Sequence, residues 1–83
     1  MRSDEIALAK GLLPMGAYHE NRGDVDRTPR GIIADAGIPP KRGWYVLGKW
    51  AGKGWYDWGV SIDLGWLNPE GVEALAARIQ GDA

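Results

Sequence analysis

Apolar residues follow two kinds of pattern along this chain, helical spacing toward its ends and alternation in its second half. Ile6, Ala9, Leu12 and Leu13 are spaced for one face of a helix over about 4–13, with Ser3 as its cap and Asp4 and Glu5 at the positive end of its dipole. Pro14 ends that helix if Gly11 has not already done so. The run 14–27 is polar and rich in turn formers, and reads as a loop. Thr28-Pro29 then opens a short helix over about 29–36, with Gly37 just past its end and Pro39-Pro40 closing it off. Asn68-Pro69 repeats the opening for a longer helix over about 69–80, which lines up Val72, Leu75, Ala76 and Ile79.

Between these helices the pattern predicts a tryptophan-rich β-hairpin over 44–64. Trp44 to Trp50 and Trp55 to Leu64 are rich in aromatic and β-branched residues, and Ala51-Gly52-Lys53-Gly54 reads as a turn. Placing Trp50 opposite Trp55 divides the side chains between two faces. One face holds Tyr45, Leu47, Tyr56, Trp58, Val60, Ile62 and Leu64, broken by Lys49, and is the expected core face. The other holds Trp44, Val46, Gly48, Trp50, Trp55, Asp57, Gly59, Ser61 and Asp63, where Gly48 and Gly59 leave a shallow trough between aromatic walls. The expected fold is therefore α+β. Two short N-terminal helices and a C-terminal helix pack on a two-stranded antiparallel hairpin, with room for a third short strand.

Composition bounds this picture. At 83 residues the chain is one domain, and large side chains must supply much of its burial; five Trp and three Tyr, with no Phe, do so. Cysteine is absent, which removes disulfides, thiolate chemistry and Cys-based zinc sites. Ten Lys and Arg against eleven Asp and Glu give a net charge of -1, which argues against nucleic-acid binding by bulk charge. No apolar run spans a bilayer and no signal-peptide core follows Met1, so a soluble, cytoplasmic protein without membrane contact is expected.

The candidate chemistry is that of a binding surface. Ser3 and Ser61 have no neighbouring base, the glycines do not lead from a strand into a helix, and Asp57 and Asp63 have no deep cleft to shift their pKa values, so no enzyme activity and no cofactor are expected. His19, with Glu20, Asp24 and Asp26, matches no metal motif and reads as a polar loop; Arg22-Gly23-Asp24 within it is a chance tripeptide. Trp44, Trp50 and Trp55 are candidate anchors for a protein partner, with Lys53 and Asp57 as polar orienters beside Gly48 and Gly59. The competing expectation is that helices cover this face.

Three other occupants suit the same residues. A second copy of the chain would make a homodimer through the Trp face. Single-stranded nucleic acid would stack on the aromatics with Lys41, Arg42, Lys49 and Lys53 around it, although Asp57 and Asp63 would repel phosphate. A sugar ring stacked on an indole, as in carbohydrate-binding modules, is the remaining expectation. In size and in its lack of catalytic motifs the chain resembles the small accessory proteins of phages and mobile elements. That resemblance implies an inhibitor of a host complex, in the manner of anti-CRISPR proteins, acting by occupying a binding surface.

Overall fold

The computed structural model describes residues 1–16 and 28–82, and the readings of His19 and of Arg22-Gly23-Asp24 lie outside them. The fold is a small α+β domain. In chain order it comprises α1 (Ser3–Leu12), a 3-10 turn (Leu13–Met15), α2 (Pro29–Asp35), α3 (Pro40–Gly52), β1 (Tyr56–Asp57), a second 3-10 turn (Ile62–Leu64), β2 (Trp66–Leu67) and α4 (Pro69–Asp82). The two N-terminal helices and the C-terminal helix are those the sequence predicts, and a two-stranded antiparallel sheet is present, but it does not pair the predicted strands 44–50 and 55–64 with each other. No helix among the described residues is long and apolar enough to cross a membrane.

The caps explain two of these helices. Thr28 accepts a hydrogen bond from the Gly31 amide at 3.1 Å to start α2, and Asn68 accepts one from the Gly71 amide at 2.8 Å to start α4. Ser3 does not cap α1, because the cap position falls one residue earlier, on Arg2, which makes no side-chain cap bond. Gly11 does not end α1 either. It lies within the helix where Ile32 of α2 crosses, and a Cβ there would collide with the Ile32 side chain.

The predicted first strand is a helix, which is the main correction to the sequence reading. Residues 44–50 lie inside α3, and the sheet instead pairs Tyr56 with Leu67 and Asp57 with Trp66. Two features drive the helix. Gly43, Val46, Leu47 and Trp50 occupy the i, i+3, i+4, i+7 positions of one helical face, and all four are buried. Pro40, rather than closing off α2, sits in the first turn of α3, where a missing amide proton costs nothing.

The expected β-turn 51–54 is the C-terminal cap of this helix. Gly54 has φ +78, its amide donates to the Ala51 carbonyl, and the Trp55 amide reaches back to the Trp50 carbonyl. That pair of bonds with a left-handed glycine is a Schellman motif. α2 ends the same way: Gly37 has φ +71 and donates to the Ala34 carbonyl, and Ile38 donates to the Ile33 carbonyl. In both motifs the residue after the glycine packs in or against the core beside the residue five positions earlier, Trp55 with Trp50 and Ile38 with Ile33.

The core runs from Leu8, Ala9 and Leu12 through Ile32, Ile33 and Ile38 to Val46, Leu47 and Trp50, and on to Tyr56, Leu67 and Leu75. Of the expected core face, Leu47 and Tyr56 are buried, whereas Tyr45, Trp58, Val60 and Leu64 are exposed, because alternation along a strand no longer assigns them. Tyr56 fixes the 58–65 connection from inside: its hydroxyl donates to the Ile62 carbonyl at 2.6 Å and accepts from the Gly65 amide at 2.9 Å.

The two glycines of α3 separate packing from propensity. A Cβ at Gly43 would lie 2.5 Å from Cδ1 and 2.8 Å from Cγ1 of Ile33, whereas at Gly48 it would meet nothing within 4 Å. Gly43→Ala is expected to destabilise by about 1–2 kcal/mol through forced repacking around a stiff β-branched side chain. Gly48→Ala is expected to stabilise by about 0.5–1 kcal/mol through helix propensity alone. Urea denaturation of both variants checks the opposite signs, and equal effects would contradict the packing of α3 on α2.

Candidate functional site

The structure redistributes the residues proposed from sequence around α3. Trp50 leaves the candidate surface: it is 1% exposed and belongs to the core. Trp44 remains on the outside at 45% exposure, and Tyr45, expected in the core, joins it at 59%. Gly48 is exposed one turn further along the same face. It does not lie opposite Asp57, and Gly59 sits in the 58–65 connection, so there is no trough between them. Asp57 is exposed on β1, where the Asn68 side-chain amide donates to it at 3.4 Å. Trp55 is half-buried behind the end of α3, flanked by Lys53 and Arg78, each 5.1 Å from its ring centroid.

The four cations of the nucleic-acid reading all fall on α3 or its C-cap. Lys41 is exposed with no carboxylate partner among the described residues. Arg42 is held by α1: it donates to Asp4 at 2.6 Å and 3.2 Å and to Glu5 at 3.2 Å. Lys49 pairs with the other oxygen of Glu5 at 2.9 Å. Both flank the Tyr45 ring, Arg42 at 5.2 Å and Lys49 at 6.0 Å from its centroid. Glu5 is 5% exposed, so its carboxylate is desolvated while its partners reach partly into solvent, and the pairs tie α3 to α1. The Arg42 guanidinium beside Asp4 lowers the carboxyl of Asp4, against the opposing effect of desolvation.

Sequence reasoning missed the most heavily bonded group of the surface, Asp63. It is 4% exposed and accepts from Arg30 Nε at 2.9 Å, Arg30 Nη2 at 3.0 Å, the Trp44 indole at 3.2 Å and the Ser61 hydroxyl at 2.6 Å. It therefore ties α2, α3 and the 58–65 connection together. Hydrogen bonds from Arg30 hold its carboxyl well below the usual carboxylate range; burial opposes them, and the Ser61 and Trp44 donors add to the lowering. Beside it is an apolar cleft of about 210 Å³ between α2 and α3, walled by Ile33, Ala34, Ile38, Pro40 and Trp44. The only sequence signal for this cluster was Ser61-x-Asp63, which a strand reading places on an exposed sheet face.

Among the described residues no group of three or more His, Asp and Glu is placed to hold a metal ion. Protein-family models, curated proteins and solved structures offer no match to this chain. The site is accordingly read from its own chemistry. It consists of an outward helix face with Lys41, Trp44, Tyr45 and Gly48, braced on one side by the Asp4–Glu5 cluster and on the other by Asp63.

Asp63 makes part of the stability pH-dependent. Its folded-state carboxyl titrates below its unfolded value, so its contribution is complete above the ordinary aspartate pKa of about 3.9 and is lost as pH falls below that. Asp63→Asn is expected to cost about 2–3 kcal/mol at neutral pH, because four donors lose a charged acceptor. The gap to the unsubstituted protein should narrow by roughly 1 kcal/mol by about pH 3. Urea titrations at stepped pH measure this, and a gap that stays constant would contradict the ionised, hydrogen-bonded Asp63.

Proposed function

We propose that the chain binds double-stranded DNA through the outer face of α3. The observation that carries this reading is the union of geometry and charge in one segment. α2, the turn Ala36–Pro39 with its left-handed Gly37, and α3 follow in the order of a helix-turn-helix, with the β1–β2 hairpin as a wing beyond it. From Ala36 to Tyr56 this unit contains Lys41, Arg42, Lys49 and Lys53 and no carboxylate. Topology alone does not carry a function. A helix whose outer face is aromatic and cationic, and whose neighbours leave it uncovered, has the chemistry of a groove-reading element.

In a helix-turn-helix the first turns of the second helix meet the base edges. Here those turns present Lys41, Trp44 and Tyr45, and Gly48 lets the helix backbone come close to the duplex. The binding is expected to be modest. Arg42, Lys49 and Arg30 are already paired with Asp4, Glu5 and Asp63, so few cations remain for phosphates and counterion release is small. This reading replaces single-strand stacking across a hairpin, since Trp50 is buried and Trp55 does not share a face with Trp44.

A second reading rests on a different observation. Trp44, Trp58, Val60 and Leu64 expose apolar surface on α3 and the 58–65 connection, with Val60 at 97%. As a contact for a protein partner, this surface would make the chain a small interaction module or an inhibitor of the phage-accessory kind, acting by occlusion.

Fluorescence anisotropy with a labelled duplex and its separated strand, from about 20 to 200 mM salt, distinguishes the two readings. The DNA reading predicts preference for the duplex and a log–log salt slope near -2, corresponding to about two phosphates. Lys41→Gln should flatten the slope by about 1, and Tyr45→Ala should weaken binding with the slope unchanged. Absence of duplex binding at the lowest salt would overturn the DNA reading and leave the apolar contact surface as the reading the geometry supports.

A further inference from the structure

A second site, independent of the α3 outer face, lies where the C-terminal end of α3 meets α4. A small cleft of about 80 Å³ opens there, in which the cations Lys49, Lys53 and Arg78 share the wall with Glu5, Met1, Trp50 and Trp55. Both oxygens of Glu5 are already engaged, one by Arg42 at 3.2 Å and the other by Lys49 at 2.9 Å. Lys53 and Arg78 have no carboxylate partner among the described residues. Each instead lies 5.1 Å from the centroid of the same indole, that of Trp55.

This arrangement leaves charge uncompensated. An aromatic quadrupole attracts a cation but does not neutralise it, so two cations gathered on one ring leave a local positive excess. Trp55 is itself fixed, because its amide closes the α3 cap and its carbonyl accepts from the Asn68 amide at 3.0 Å. With its backbone held there, the half-buried indole gathers an ammonium and a guanidinium that line one cleft. Such a pair, a compact donor beside a planar fork, matches a tetrahedral oxyanion. The cleft is small and open to solvent, which suits a compact anion such as a phosphate group.

We propose that this cleft binds a phosphate group, with Lys53 and Arg78 as its ligands and Trp55 as their support. The phosphate can belong to a DNA backbone or to a free phosphate ester, and the site does not depend on the DNA reading of α3.

The test follows the Trp55 indole N–H by NMR, assigned with Trp55→Phe, while inorganic phosphate replaces chloride at constant ionic strength. The expected result is a saturable shift of that signal, with affinity at least tenfold weaker in the Lys53→Gln/Arg78→Gln double variant. Both side chains are exposed, and an unchanged far-UV circular dichroism spectrum verifies that the double variant folds. A shift that does not saturate, or one equal in the double variant, overturns the proposal. A duplex that moves the same signal identifies the source as DNA backbone, and a duplex that leaves it unmoved while a phosphate monoester shifts it identifies a free ester. If no duplex binds anywhere, the DNA reading of α3 fails while the phosphate titration still decides this site.

Discussion

The structure depends on the burial of one edge of α3. Its segment Gly-Trp-Tyr-Val-Leu-Gly-Lys-Trp has poor helix propensity, with two glycines, a β-branched residue and three aromatics. Packing overrides that preference. Gly43 lets Ile33 come into close contact, Val46 and Leu47 fill the centre, and Trp50 closes the far end against the rest of the core. The Schellman bonds at Gly54 then stop the helix where Trp55 must turn back toward Trp50. Pro40 and Gly54 mark where the helix starts and stops, but it is the burial of this edge that outweighs the poor propensity of the residues between them.

Fixing that edge fixes the remaining surface of the helix. One flank of α3 carries Arg42 and Lys49, which meet Asp4 and Glu5 of α1. Near its start, the Trp44 indole reaches Asp63, which Arg30 of α2 also holds. These polar clusters add little net attraction after desolvation, but each specifies one rotation of α3 and disfavours others. The outward face is what remains: Lys41, Trp44, Tyr45 and Gly48, in a segment whose only charges are positive. The same rotation brings Lys49 and Lys53 toward Arg78 of α4 and forms the cationic cleft. Both candidate surfaces are thus consequences of how one helix is seated.

The end helices were legible because their signals are local. Thr28-Pro29 and Asn68-Pro69 state their caps within three residues, and the structure uses both. The α+β class was legible as well, since the segment after Gly54 is strand-like and does pair. α3 was misread because aromatic and β-branched residues favour strands in general, and a short apolar run fits both periods. The helical spacing of Gly43, Val46, Leu47 and Trp50 was present in the sequence, but a glycine at the first of these positions hides it from a hydrophobicity pattern. Gly54-Trp55, five residues after the Lys49-Trp50 pair, carried a helix-stop signal equivalent to that of Gly37-Ile38. Reading it as a turn between strands sent Trp50 to a surface and Tyr45 to a core, the reverse of their true positions. Asp63 was not legible, because its four donors come from three separated segments.

The most direct test of the account is the NMR conformation of residues 43–50. The account predicts downfield 13Cα shifts throughout, Gly43–Val46 and Leu47–Trp50 contacts of the i, i+3 kind, and strong protection of the Trp50 indole. Upfield 13Cα shifts with cross-strand contacts between Trp50 and Trp55 would contradict it and restore a hairpin.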